Sequence, residues 1–253
     1  MRKSLLFISM FFISQFSFCQ NDNIDKSKTL EEYYKLGIPS IENEWSELDL
    51  EKTLAILEKQ KGKNILSLPR KKSIKSSKLF NKIINQIPSF SNTTSRDIKN
   101  ESIKHSNFGK IIYRLSGIYS YVEKTPSYYN DESTEIDEKL ITESSNFALL
   151  FFYNISFMTK ETRETKKSSI NRFQKGITDT YLATLEYFRD SKEYKYENKV
   201  QFSMTISQNL KRIGNKLNQD SKDELILIIE EIIVISTIPK VTENLSEGLK
   251  YLK

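Results

Sequence analysis

The sequence predicts an all-α protein, built as a single helical bundle of about six to eight helices. Three observations predict this class. Long segments carry apolar residues at helical spacing, and several of them open with N-terminal capping residues. Gly and Pro are scarce, with 7 and 5 occurrences in 253 residues. No segment shows the sustained two-residue alternation, bounded by hairpin turns, that half-buried strands produce.

The first predicted helix is short and marked at both ends. Thr29 and Glu32 have the spacing of a capping box, in which each side chain satisfies a free backbone N–H group. Gly37 is placed to end the helix, and Pro39 follows just beyond.

The second predicted helix begins after Ser46, which has the position of an N-cap with Asp49 three residues on. Trp45 can pack against Leu50 across this cap. The only Trp of the chain therefore has a structural role in this interpretation.

Helical periodicity predicts the remaining elements. After Pro69, one apolar face contains Leu79, Phe80, Ile83, Ile84 and Ile87. Four further amphipathic segments follow, at 108–122, 136–158, 170–188 and 202–217.

The last long helix is predicted to open with a capping box of Ser221 and Glu224 and to stop before Pro239. A terminal turn of helix near 241–251 completes the chain.

Residues 1–19 have the layout of a cleaved signal peptide. Two basic residues precede an apolar region at 4–18 that is too short to span a bilayer comfortably. Ser17 and Cys19 supply the small residues for a cut before Gln20. Cleavage would remove two positive charges and lower the net charge from +6 to +4. We therefore expect an exported protein, periplasmic or extracellular.

Cys19 also allows an alternative in which it is lipidated, although Phe18 departs from the small residue that a lipobox needs. Either route consumes the only Cys, so the mature chain has no disulfide and no thiol chemistry. We expect residues 20–253 to form one all-α domain, with 20–28 disordered. The strongest later apolar run, at 225–238, is short and interrupted by two Glu, so no membrane span is expected after cleavage.

Several chemistries are excluded by composition. His105 is the only His, so a zinc site of two or three histidines is impossible, and we expect it to be a polar surface residue. GxSxG, SxxK and Gly-rich phosphate loops are missing, and no cofactor, metal site or catalytic residue is predicted. One segment concentrates acids, which we interpret as solvated residues at a helix start: Asp131, Glu132, Glu135, Asp137, Glu138 and Glu143.

The strongest candidate for a binding site is a basic stretch. From Lys59 to Arg96 there are ten basic residues and no acidic one. Its candidate anion-binding residues lie at a predicted helix start, with Ser73 as the N-cap: Arg70, Lys71, Lys72, Ser73 and Lys75. Two alternatives remain open, which are plain solvation of these charges and pairing with the acidic segment.

The function predicted from these features is that of an exported, non-enzymatic helical binding or scaffold protein of the bacterial cell envelope. Its partner is an unidentified envelope component or protein, contacted through an anionic group. A hydrolase using carboxylates in a cleft between helices is the alternative, and an inhibitor or immunity-type partner of another exported protein is a weaker one. Nucleic acid is an unlikely partner, because the basic stretch lacks interleaved aromatic residues.

Overall fold

The computed structural model describes residues 25, 27–63, 67–90, 98–120, 130–191 and 194–253. The described residues form ten α-helices and a 3₁₀-helix at Gly214–Lys216, with no strand among them. The helices are α1 (Leu30–Lys35), α2 (Glu47–Gln60), α3 (Ser77–Asn85), α4 (Ile98–Tyr119), α5 (Asn130–Ser156), α6 (Lys160–Thr165), α7 (Lys167–Asp190), α8 (Tyr196–Ile213), α9 (Gln219–Ile235) and α10 (Pro239–Leu249).

The all-α class is confirmed, whereas the predicted count of six to eight helices is slightly low. One of the additional elements is α6, whose sequence KETRET contains no apolar residue. Hydrophobic periodicity cannot reveal such a helix, and its only signal is the N-cap Thr159, which accepts a hydrogen bond from the Thr162 N–H group.

Both predicted capping boxes in the N-terminal part of the chain are present. Thr29 and Glu32 exchange hydrogen bonds at the start of α1, and Ser46 and Asp49 do so at the start of α2. Gly37 has a φ of 90°, a left-handed conformation that is costly for a residue with a Cβ atom, and it ends α1 as predicted.

The start of α9 differs from the prediction. The helix begins at Gln219, and its N-cap is Asn218, whose side chain accepts from the Ser221 N–H group at 2.9 Å. Ser221 is therefore the third residue of the helix and is buried. Pro239 opens α10, which has 11 residues and begins two residues before the predicted range of 241–251.

Helix α5 lies between two hydrophobic clusters. One of its faces contributes Ile136, Phe147 and Leu150 to a cluster with α1–α4. Another contributes Ile141 and Ala148 to a cluster with α7–α10. Because residues of α5 belong to both clusters, this helix packs against α1–α4 on one face and against α7–α10 on another.

The long helices α5, α7, α8 and α9 alternate in direction. Gln174 near the start of α7 contacts Asn218 before α9, and Arg189 near the end of α7 pairs with Glu231 near the end of α9. Helix α7 therefore runs parallel to α9. The intervening α8 runs the opposite way, as helices joined by short connections do.

The C-terminal residues close the bundle through two glycines. A Cβ atom on Gly248 would lie 3.2 Å from the Ser207 Cα atom, so α10 packs closely on α8. A Cβ atom on Gly214 would lie 2.6 Å from the Tyr251 carbonyl oxygen. None of the helices in the described part of the chain combines the length and apolar composition that crossing a membrane requires.

The predicted division into a signal peptide at 1–19 and one domain at 20–253 stays a prediction, because residues 1–24 lie outside the described part of the chain. Of the segment 20–28, the structure describes three residues. Asp25 accepts hydrogen bonds from the 73–75 turn, and Ser27 is buried. Both are thus held against the folded chain.

Candidate functional site

Polar side chains pair along the contact between α5 and α8. The four pairs, which we call the polar seam, are Asp131–Asn198, Glu138–Thr205, Thr142–Asn209 and Asn146–Arg212. The partners are 67 residues apart in the first three pairs and 66 apart in the last. This near-constant separation means that α5 and α8 run parallel in one register, with the seam positions of α5 one or two turns apart on a single face.

An open cleft of about 510 Å³ lies along the polar seam. We call it the seam cleft. Its lining is rich in charge and includes Lys71, Glu135, Glu138, Lys139, Glu143 and Arg212. Lys71 belongs to the predicted basic stretch, and the others come from α5 and α8.

Arg212 is held at one end of the seam cleft by two neutral side chains. Its Nη1 donates to Oδ1 of Asn209 at 2.9 Å, and its Nη2 donates to Oδ1 of Asn146. Within the described chain Arg212 forms no ion pair. Since a guanidinium does not deprotonate in a protein, its charge is fixed in orientation but not neutralised by a carboxylate.

The two asparagines that hold Arg212 are themselves buried, and each forms hydrogen bonds through both its amide nitrogen and its amide oxygen. Asn209 Nδ2 donates to the Thr205 carbonyl at 2.9 Å and to Thr142 Oγ1 at 3.3 Å. Asn146 Nδ2 donates to Glu143 Oε2 at 3.1 Å. These bonds orient both amide oxygens toward Arg212, so the guanidinium position is built into the packing of α5 on α8.

Most other charges of the seam cleft are paired. Lys71 forms an ion pair with Glu135, and Lys139 Nζ lies 3.0 Å from Glu143 Oε1. Glu143 also accepts from the Phe90 N–H group at 2.8 Å. Burial raises the pKa of Glu143, but its hydrogen bonds from Phe90 and Lys139 outweigh burial and hold that pKa below its usual range.

Glu138 is the exception among the acids. Its Oε1 accepts from Thr205 Oγ1 at 3.0 Å, and it forms no ion pair within the part of the chain that is described. Burial raises its pKa, although the hydrogen bonds from Thr205 and Gln201 oppose this shift. The cleft thus holds one carboxyl and one guanidinium that lack a partner of opposite charge.

The candidate residues Lys71 and Lys72 contact the start of α5. Lys72 Nζ lies 3.0 Å from Asp131 Oδ2, and the Lys71 N–H group donates to Glu132 Oε1 at 2.5 Å. The other oxygen of Glu132 is buried without a hydrogen-bond partner, and burial raises the pKa of this carboxyl. Arg70 lies half-buried beside them.

Ser73 and Lys75, the other candidates, bind Asp25. Ser73 Oγ donates to Asp25 Oδ2 at 2.6 Å, and the Lys75 N–H group donates to the same oxygen at 3.1 Å. Ser73 caps the turn that leads into α3, whereas α3 itself begins at Ser77. Burial raises the pKa of Asp25, but hydrogen bonds from Ser73 and Ser27 hold it far below its usual range.

Internal carboxylates therefore occupy three donors that an external anion would use, which are the Lys71 N–H group, the Ser73 hydroxyl and the Lys75 N–H group. At these three donors an anion could bind only by displacing Asp25 or Glu132, and the other two candidates are Arg70 and Lys72. The anion site at these five residues stays a prediction.

The acidic segment is less exposed than predicted. Glu132, Asp137 and Glu143 are only 2, 7 and 4% exposed, because α5 docks against both the basic stretch and α8. The interpretation of these acids as solvated is wrong for these three. His105 is likewise half-buried, stacked on Phe147 with ring centroids 4.2 Å apart, and burial lowers its pKa.

A second, larger groove of about 1120 Å³ lies among α2, α4, α5 and α7. Its lining includes Leu54, Ile112, Leu140 and the buried Asp137. Tyr194 donates its hydroxyl hydrogen to Asp137 Oδ2 at 2.6 Å. Burial raises the pKa of Asp137 to about 7, against the opposing effect of this hydrogen bond.

Sequence reasoning missed Asn146, Asn209 and Arg212. Their signal was a polar stripe at helical spacing on each of two helices, visible only once the two stripes are known to face each other. Among the described residues, no three His, Cys, Asp or Glu side chains converge as a metal site requires.

Comparisons of this chain with protein-family models, with curated proteins and with solved structures give no significant match.

Proposed function

We propose that the protein is an exported, non-enzymatic binding protein whose ligand places an anionic group against Arg212 in the seam cleft. Export rests on the signal-peptide pattern of residues 1–19. The single observation that carries the binding proposal is the state of Arg212, which is oriented by Asn146 and Asn209 without a carboxylate to neutralise it.

This arrangement favours binding because the Arg212 side chain is already ordered before a ligand binds. A free arginine loses rotamer entropy when it binds a carboxylate or phosphate, and preorganisation removes that cost. Lys71 and Lys139 add positive potential at the same cleft, although each is paired with an acid. Lys71 thus belongs both to the predicted anion-binding residues and to the lining of the seam cleft.

The hydrolase alternative draws less support from the cleft. Two-carboxylate hydrolysis needs one carboxyl as general acid and a second as base or nucleophile. Glu135 is paired with Lys71, and Glu143 is held by Lys139, Asn146 and Phe90. Only Glu138 lacks a cation, so no second carboxylate is free to act with it.

The proposal is tested by thermal unfolding in phosphate and in chloride at matched ionic strength. Phosphate bound at Arg212 raises the melting temperature by mass action beyond the chloride value. Because phosphate also stabilises proteins by exclusion from the surface, the decisive comparison is between variants. Arg212→Gln should lose the excess, whereas Arg172→Gln, an exposed arginine of α7, should keep it.

Arg212→Lys serves as a second variant, because it keeps the charge and loses the planar fork that contacts both asparagines. It should show a reduced excess. An undiminished phosphate response in both Arg212 variants would overturn the proposal.

A further inference from the structure

Two side chains of opposite charge in the seam cleft form no ion pair, and one lies on α8 and the other on α5. Arg212 has two amide partners and no carboxylate within ion-pair distance, within the described chain. Glu138 has hydrogen bonds from Thr205 and Gln201 and no cation within ion-pair distance there, although the charge of Lys71 also acts on it. Their neighbours Lys71, Glu135, Lys139 and Glu143 neutralise one another. The charges of the cleft therefore sum to zero, with the unpaired positive charge of Arg212 and the unpaired negative charge of Glu138 at different points along its length.

The unmatched pair cannot neutralise itself, because of its spacing. Arg212 contacts Asn146, which lies eight residues after Glu138 on α5. Eight residues of α-helix correspond to about 12 Å along the axis. At that separation two partly exposed charges interact weakly, so each is free to bind a complementary group of a ligand.

We infer that the ligand is a linear zwitterion of dipeptide length, bound with its carboxylate at Arg212 and its ammonium at Glu138. This inference rests on the proposed function. An extended chain spans at most about 3.3–3.6 Å per residue, and a hydrogen bond at each end adds about 2.8 Å, so about two residues reach from one charge to the other. A single amino acid is too short to contact both.

The middle of the cleft suits a peptide backbone. Between the two charged ends lies the pair Thr142–Asn209, in which Thr142 Oγ1 accepts the hydrogen bond from Asn209. The Thr142 hydroxyl hydrogen remains to be donated, for which a peptide carbonyl is a suitable acceptor. Gln208, an exposed residue of the lining, offers an amide with both donor and acceptor.

Isothermal titration calorimetry with dialanine tests this inference. On the wild-type protein we expect dialanine to bind about tenfold or more tightly than N-acetyl-dialanine, which lacks the ammonium, and than dialanine amide, which lacks the carboxylate. Alanine should bind about as weakly as these blocked peptides, because it cannot span the two charges.

Glu138→Gln should lose the preference for the free amino terminus and retain the preference for the free carboxylate. Glu186→Gln, an exposed acid of α7, should leave both preferences unchanged. If N-acetyl-dialanine or alanine binds the wild type as tightly as dialanine does, the zwitterion inference is wrong, while the phosphate response at Arg212 still stands. Failure of all four ligands to bind overturns the inference in the same way, and only loss of the Arg212-dependent phosphate response overturns the proposed function.

Discussion

Asn209 on α8 donates a hydrogen bond to the Thr142 hydroxyl on α5 across 3.3 Å, at the same sequence separation as the Asp131–Asn198 and Glu138–Thr205 pairs. Apolar contacts between two helices tolerate sliding, whereas buried polar groups must meet a specific partner. The polar seam thus specifies the register of α5 and α8. In the same register, Asn209 fixes the orientation of Arg212.

Replacing Asn209 by alanine should therefore affect both stability and binding. Asn209→Ala removes hydrogen bonds to Thr142, to the Thr205 carbonyl and from Arg212, at a cost of about 1–3 kcal/mol in the free energy of unfolding. Urea unfolding measures this loss, and the phosphate response should weaken in the same variant. Asn171→Ala, on the exposed face of α7, should stay within about 0.5 kcal/mol of the parent. Equal effects of the two changes would contradict the role given to Asn209.

The raised pKa of Asp137 predicts a specific dependence of the free energy of unfolding on pH. Its pKa is raised from 3.8 to about 7 in the folded state, so the folded protein holds this proton more tightly than the unfolded chain does. Its contribution to stability is fully present below about pH 4 and is lost as the pH rises to about 7.

We expect the Asp137→Asn variant not to lose stability in this way as the pH rises, because asparagine does not titrate. The free energy of unfolding of the variant minus that of the parent should grow by a few kcal/mol between pH 4 and pH 8, as measured by urea unfolding at each pH. Asp223→Asn, at an exposed position of α9, should show no such trend. A difference for Asp137→Asn that is independent of pH would show that this carboxyl titrates normally.

Two glycines should respond oppositely to alanine. At Gly214 a Cβ atom would lie 2.6 Å from the Tyr251 carbonyl oxygen, and backbone must move to accommodate it. Gly214→Ala should cost more than about 1 kcal/mol. Gly176, inside α7, has no neighbouring atom within 4 Å of such a Cβ, so Gly176→Ala should stabilise by about 0.5–1 kcal/mol. Melting temperatures that move in the same direction for both variants would refute the packing described at the C-terminus.

Asp25 should be important for the turn before α3. Its carboxylate accepts from Ser73 and from the Lys75 N–H group, as a capping side chain does, and Asp25→Ala should cost about 1–2 kcal/mol at neutral pH. Because the pKa of Asp25 is lowered in the folded state, this stabilisation is present at neutral pH and is lost as the pH falls below the ordinary value of 3.8. The energy difference between parent and variant should therefore shrink toward acid pH. A constant difference would contradict the assigned hydrogen bonds.

The features that end and begin helices could be predicted from the sequence. The capping boxes at Thr29 and Ser46 and the left-handed Gly37 depend only on residues a few positions apart, and the structure has them as predicted. Where a competing cap is present nearby, as Asn218 is before Ser221, the helix begins at the earlier of the two caps. Short polar helices such as α6 leave no periodic signal.

The candidate site could not be predicted in this way, because the hydrogen bonds that form it join residues 66 or 67 positions apart in the sequence. Glu132 belongs to a highly charged helix start, and nothing local to it shows that the Lys71 N–H group, 61 residues earlier in the chain, will bind it. Pairing between the basic and acidic segments was one of the alternatives that the composition allowed, and Lys72 with Asp131 forms such a pair. Arg212 had no distinguishing local pattern at all.

The most direct test of the account is an observation of the Arg212 guanidinium itself. In a phosphate titration followed by nuclear magnetic resonance, with the Arg212 Nε–Hε signal assigned by its loss in Arg212→Lys, we predict a saturable shift of that signal. The corresponding signal of the exposed Arg172 should move little and without saturation. An Arg212 signal that moves no more than that of Arg172 would contradict the claim that the seam cleft binds an anionic group at Arg212.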